Sequence, residues 1–196
     1  MKKIIGLLMI VALMMGCAFS TISRFSGKYA EGKENIVPNS GFEVGSNQMP
    51  EGWVVLNETE NNIIWDDDLA KNGNKSLKIN ADKKGANLVS DEFPINPLSV
   101  YYSRCYIKSQ KPSDKPVTIH FIAFNKNGKK VNDYKKEVKL VSDWTLVELT
   151  TGFFDGSATY ARIAVSIPEE KEENIYWVDD IESYNVHKLA YRFQTD

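Results

Sequence analysis

Beyond residue 33 the chain is a succession of short apolar runs, rich in Val, Ile, Thr, Tyr and Phe, separated by Gly, Pro, Asn and Asp. No stretch there sustains a 3.6-residue period. Short apolar runs between turn residues predict an all-β sandwich. Strands are expected at 35–37, 53–57, 63–65, 76–80, 87–90, 100–108, 117–125, 131–138, 144–150, 160–167 and 175–184. Asn127-Gly128 and Asn72-Gly73-Asn74 supply turn signals, and Pro112 and Pro116 bracket a loop. The acidic run 169–173 reads as a solvated hairpin loop.

Period-two alternation assigns faces within a strand. In 100–108, Tyr101, Ser103, Cys105 and Ile107 share one face, while Tyr102, Arg104, Tyr106 and Lys108 share the other. In 160–167, Ala161, Ile163, Val165 and Ile167 should enter the core, leaving Tyr160, Arg162, Ala164 and Ser166 outside. Alternation does not set the register between strands. The outward sets are expected to combine Tyr and Arg on one sheet surface.

The N-terminus follows a different pattern. Lys2 and Lys3 precede an unbroken apolar stretch from Ile4 to Met15, followed by Gly16-Cys17. A bilayer-spanning helix needs about 20 apolar residues, so this stretch suits a removable export signal. Leu13-Met14-Met15-Gly16-Cys17 resembles the lipobox of bacterial lipoproteins, with Met14 where Leu is commoner. The resemblance implies cleavage after residue 16 and lipidation of Cys17, with enough acyl chains for stable membrane anchoring. Residues 1–16 are then the signal, 17–33 a flexible tether, 34–187 the folded module and 188–196 a C-terminal tail. Ala18, rather than Asp, after the lipidated position favours the outer membrane or cell surface.

Charge and cysteine usage narrow the class. The formal net charge of −2 falls to −4 once Lys2 and Lys3 leave with the signal. A mildly acidic chain without basic runs argues against nucleic acid as a partner. With Cys17 lipidated, Cys105 has no partner for an internal disulfide.

A series of motifs then appears in order: Asn35-Ile36-Val37-Pro38-Asn39-Ser40-Gly41-Phe42-Glu43, Pro50-Glu51-Gly52-Trp53, and Asn72-Gly73-Asn74-Lys75-Ser76-Leu77-Lys78-Ile79. Trp144-Thr145-Leu146-Val147-Glu148-Leu149, Ala161-Arg162-Ile163 and Trp177-Val178-Asp179-Asp180-Ile181 follow. From residue 34 to about 186 this series resembles the carbohydrate-binding modules of families four, nine and twenty-two, with their galactose-binding-like jelly roll. The resemblance implies a two-sheet antiparallel β-sandwich with neighbouring N- and C-terminal strands, and a structural calcium that staples them to the loop before 76–80. Its ligands would be the Glu43 carboxylate, the Gly41 and Lys75 carbonyls, and Asp180 or Asp179, with Asp180 favoured. Such hard oxygen donors suit calcium. A hydrogen-bonded cap without an ion is the competing reading.

A sugar-binding surface combines aromatic rings, which pack on pyranose C–H faces, with planar polar groups that bridge hydroxyls. Tyr102, Arg104, Tyr106 and Arg162 are the candidates, with His120 and Trp65. His120 reads equally as a buried structural histidine. Trp53 and Trp144 match framework positions. No catalytic residue is assigned: Gly-x-Ser-x-Gly is absent, His120 and His187 lack clustered cysteines for zinc, and Cys105 lies on the expected core face, where a thiol is inert. The function expected is non-catalytic capture of poly- or oligosaccharide at the cell envelope. The alternatives are a surface adhesion lipoprotein that binds a protein partner, and an accessory or minimal glycoside hydrolase, which would need two carboxyl groups about 5–10 Å apart.

Overall fold

Two inward-facing sets of apolar side chains, drawn from alternate positions of long strands, meet to form one core. The computed structural model describes residues 27–46, 49–56, 63–81 and 85–188. A 3-10 turn at Gly27–Ala30 precedes β1 (Gly45–Ser46), β2 (Met49–Pro50), β3 (Trp53–Leu56), β4 (Ile63–Asp66), β5 (Ser76–Ala81), β6 (Ala86–Ser90) and β7 (Phe93–Pro94). Then come β8 (Ser99–Ser109), β9 (Val117–Asn125), β10 (Lys130–Val138), β11 (Thr145–Thr150), β12 (Ala158–Ile167) and β13 (Asn174–Lys188). Sheet I has the order β10-β9-β12-β6-β3, with β7 also paired to β12; sheet II has the order β11-β8-β13-β5-β4. Every pairing is antiparallel. The expected two-sheet antiparallel β-sandwich is the observed fold.

Phe121 of β9 lies fully buried between the sheets, its ring centroid 5.3 Å from that of Tyr101, 5.4 Å from Phe154 and 5.8 Å from Phe93. Cys105, Ile107, Val147 and Val178 from sheet II meet Ile119, Ile163 and Val165 from sheet I. Trp53 is buried as a framework residue: its indole N–H donates to the Asn39 carbonyl at 3.1 Å and its ring meets Phe42 edge-on at 5.1 Å. Trp144 is only partly buried and lies outside this core.

The observed elements differ from the expected ones at several places. Residues 35–37 form no strand. The segment does run beside β13, but the Asn35 side chain replaces part of the ladder: its Oδ1 accepts from the N–H of Val37 and of Ser183, while Ile36 N–H donates to Ser183 O at 2.9 Å. An Asx side chain competing with backbone pairing is enough to break a regular strand. β13 runs four residues past the expected 184, and two-residue β1, β2 and β7 are too short to leave a periodic signal. The run 169–173 is not wholly solvated, because Glu170 Oε1 accepts from Tyr176 Oη at 2.5 Å and Ser113 Oγ at 2.6 Å. The expected export signal, Cys17, and the apolar residues of the 188–196 tail lie outside the described residues. So does the tether up to residue 26, whereas its end, Gly27–Ala30, is an ordered turn with Ala30 buried. Among the described residues, no helix is long and apolar enough to cross a membrane.

Candidate functional site

Strand pairing separates what alternation had grouped. β8 belongs to sheet II and β12 to sheet I, so Tyr102, Arg104 and Tyr106 lie on one outer face of the sandwich and Arg162 on the other. The expected single Tyr/Arg surface does not exist. Period-two alternation tells inward from outward but not which sheet a strand joins.

The sheet II residues are largely engaged by their own chain. Tyr102 is 1% exposed, covered by Ala30 and flanked by Val100, Tyr184 and Val186, and its hydroxyl donates to Glu148 Oε1 at 2.5 Å. That burial excludes it from an exposed binding surface. Arg104 donates to the Glu182 carboxylate and lies 5.8 Å over the Tyr184 ring. Tyr106 is half-buried under the Lys71 ammonium at 4.9 Å. Trp65 points inward at the sheet edge, paired opposite Leu77. Its indole N–H donates to Phe42 O at 2.6 Å and Lys75 Nζ sits 4.8 Å over its ring, which makes it a framework residue.

The outer face of sheet I is different. Its registers place Asp133 beside Ile122 and Arg162; Lys135 beside His120, Ala164, Val89 and Val54; and Glu137 beside Thr118, Ser166, Asn87 and Leu56. A polar row crosses four strands. Lys130 Nζ lies 3.3 Å from Asp133 Oδ2, and His120 Nδ1 is 3.0 Å from Asp133 Oδ1. His120 Nε2 faces Ser166 Oγ at 3.5 Å, and Ser166 donates to Asn87 Oδ1 at 2.7 Å. His120, 19% exposed at its side chain, is therefore an outward member of a network, not a core histidine.

Arg162 donates to Ser90 O at 3.0 Å and pairs loosely with Glu92 at 3.6 Å, its side chain remaining 32% exposed. At one end Phe124 and Tyr160 stack with centroids 5.3 Å apart and planes 13° off parallel. At the other, Val54 and Leu56 are 47% and 52% exposed. Planar polar groups beside aromatic and aliphatic surface can bridge hydroxyls and cover C–H faces together. Asn87, Asp133, Ser166, Tyr160 and Phe124 were missed as candidates. Alternation already put Tyr160 and Ser166 in phase with Arg162, and Phe124 in phase with His120. Only the β9–β12 and β12–β6 registers join them into one surface.

Of the expected cation ligands, Glu43 and Asp180 both approach Gly41. Asp180 adopts φ 48°, forming an irregularity in β13 that re-aims its carboxylate: Oδ1 lies 3.6 Å from where a Gly41 side chain would start, and Asn72 Nδ2 donates to Oδ2. Glu43 Oε1 accepts from the N–H of Asn74 at 2.9 Å and of Lys75 at 3.0 Å. Asn39 and Phe42 also have positive φ, at 44° and 58°. Three non-glycine residues in this strained region mark a closely specified loop cluster. Asp179 is fully buried and saturated by the N–H of Lys71, Asn72 and Asp180, and burial pushes its carboxyl up to about 7. Its oxygens are spent on the loop, so Asp180 is the better donor of the pair. Among the described residues no three His, Cys, Asp or Glu side chains converge as a metal centre; an ion here would rely on two carboxylates and the Gly41 and Lys75 carbonyls, a hard oxygen set that fits calcium.

Comparison with solved structures places the fold. TmCBM61, solved with β-1,4-galactotriose, is 16% identical with a TM-score of 0.53, the match covering 78% of this chain and 99% of that one. A family 16 carbohydrate-binding module is 15% identical with a TM-score of 0.57, over 76% and 99%. The CBM22-1 xylan-binding domain of Xyn10C from Paenibacillus barcinonensis is 16% identical with a TM-score of 0.54, over 81% and 97%. The chain thus has the jelly-roll sandwich seen in carbohydrate-binding modules. No family model matches the sequence, and no curated protein does.

Proposed function

We propose that this chain, built on a sandwich shared with carbohydrate-binding modules, binds poly- or oligosaccharide without cleaving it, through the outer face of sheet I. The observation that carries the reading is the polar row Lys130–Asp133–His120–Ser166–Asn87 beside Arg162 and the Phe124–Tyr160 stack. These side chains hold one another in place, so little rotamer entropy is lost when a glycan docks. Of the similar solved modules, one was solved with β-1,4-galactotriose and another is a xylan-binding domain, so galactans and xylans are the first ligands to try. Affinity electrophoresis through gels containing each polysaccharide should retard the protein. Unretarded migration in every gel, with specific capture of one protein partner, would replace this reading by the adhesion one; release of reducing sugar would make it an enzyme.

The same proposal includes export and lipidation at Cys17, supported by the Leu13–Cys17 motif. Metabolic labelling with palmitate, lost in Cys17→Ser, tests it. It also includes a structural calcium held by Gly41, Glu43, Lys75 and Asp180. Bound there, the ion would tie the residue 41–43 segment and the loop before β5 to β13, and would take no part in ligand chemistry.

A further inference from the structure

The last part of the expected tether does not hang free of the sandwich. Ala30 is buried against Val100 and Tyr102 of β8 and Tyr184 and Val186 of β13, a small apolar cluster separate from the main core. Tyr102 and Tyr184 are register partners on the outer face of sheet II, so the turn is docked on that face. Lys33 N–H closes it onto Ala30 O at 3.0 Å, and Gly32, at φ 70°, lets the chain reverse. Residues 35–40 then continue along β13, with Ile36 N–H bonded to Ser183 O and Ile181 N–H to Ser40 O, both at 2.9 Å. Gly27 packs so closely that a Cβ on it would lie 3.2 Å from Tyr102 Oη.

From this docking we infer that the outer face of sheet II is the membrane-facing side of the anchored protein, and that sheet I is held pointing away from the bilayer. The inference rests on the lipidation of Cys17 proposed above. Nine residues, hence ten Cα–Cα steps, separate Cys17 from Gly27, a stretch that reaches at most about 36 Å fully extended. With sheet II toward the bilayer, the chain leaves directly from the docked turn. With sheet I beneath, the same residues must round a sheet edge and cross the sandwich. Packed sheets lie about 10 Å apart, so the sandwich is roughly 20 Å thick with its outer side chains, and half a five-strand sheet adds about 12 Å. That path consumes nearly the whole reach, an extension that costs a flexible chain entropy the direct path does not. The same face carries Lys71 over Tyr106 and Lys78 over Trp177, amphipathic pairs suited to a headgroup layer.

The test uses energy transfer from a dye on the protein to acceptor-labelled headgroups in phosphatidylcholine/phosphatidylglycerol vesicles bearing the lipidated chain. With Cys17 acylated and Cys105 buried, a dye on Leu146→Cys (sheet II, exposed) or Lys135→Cys (sheet I, exposed) is selective. Transfer should be severalfold more efficient from position 146. Equal or reversed efficiencies overturn the inference. Ala30→Asp puts a charge into the docking cluster and should bring the two efficiencies together; Gly27→Val, crowding Tyr102, should act the same way if the first variant folds poorly. A difference that persists in a folded variant also overturns it. Where natural acylation fails, coupling Cys17 to a maleimide phospholipid and carrying the dye on a bio-orthogonal unnatural amino acid at position 146 or 135 gives the same reading, so failure of the lipidation proposal is told apart from failure of the orientation.

Discussion

Replacing Asp133 by Asn keeps the side chain's shape and removes its charge, which makes it a direct probe of the polar row. Partial burial raises the Asp133 pKa, but hydrogen bonds and charge from His120 and Lys130 lower it, and the lowering prevails. A carboxylate with a depressed folded-state pKa stabilises the protein above its unfolded-state pKa, and that contribution is lost as pH falls through the folded value. A hydrogen bond to a charged group is worth about 1.5–3 kcal/mol, yet His120 and Asp133 are 19% and 30% exposed at their side chains, and exposed pairs deliver about 0–1 kcal/mol. The wild type should therefore exceed Asp133→Asn by about 1 kcal/mol near neutral pH. Urea unfolding over a pH series should show that gap intact above the unfolded-state value of 3.8 and closing as pH drops below it. A gap independent of pH, or one that widens in acid, would refute the assignment of Asp133 as the charged anchor of His120. A double-mutant cycle with His120→Ala should return a coupling of a few tenths of a kcal/mol to about 1.

Further outcomes follow from other parts of the fold. Phe121→Ala empties the centre of the aromatic cluster and should cost about 3–5 kcal/mol in denaturant unfolding. Burial pushes the Cys105 thiol pKa well up, so a thiol reagent should leave it unmodified in the native protein and react only on unfolding. Gly73→Ala should destabilise by more than about 1 kcal/mol: φ is 64°, and the added Cβ would sit 2.2 Å from Glu43 Oε1. Chelation should lower the melting temperature of wild type and leave Asp180→Asn unmoved; an unchanged wild-type melt would count against bound calcium.

Strand content was legible because β8, β9 and β12 are long and buried on one face, so alternation and composition agree. Cys105 and Ile163 were placed correctly in the core for that reason. Register was not legible. His120 and Arg162 were named from chemistry alone, and nothing in the chain said that β9 and β12 are neighbours while β8 lies in the opposite sheet. Tyr102 misled because alternation marks it as outward, which it is; what covers it is a turn more than 70 residues earlier in the chain. Trp65 misled for a related reason, since a tryptophan near a strand end is equally suited to a rim or to a capped edge, and only the Phe42 carbonyl decides between them.

Isothermal titration of soluble galactan and xylan against matched pairs of variants decides whether sheet I is the binding face. Arg162→Ala and Tyr160→Ala on sheet I are expected to weaken binding by at least tenfold, about 1.4 kcal/mol each, whereas Tyr106→Ala and Lys108→Ala on sheet II should bind as wild type does. Binding lost through sheet II substitutions and untouched by those on sheet I would put the site on the opposite face.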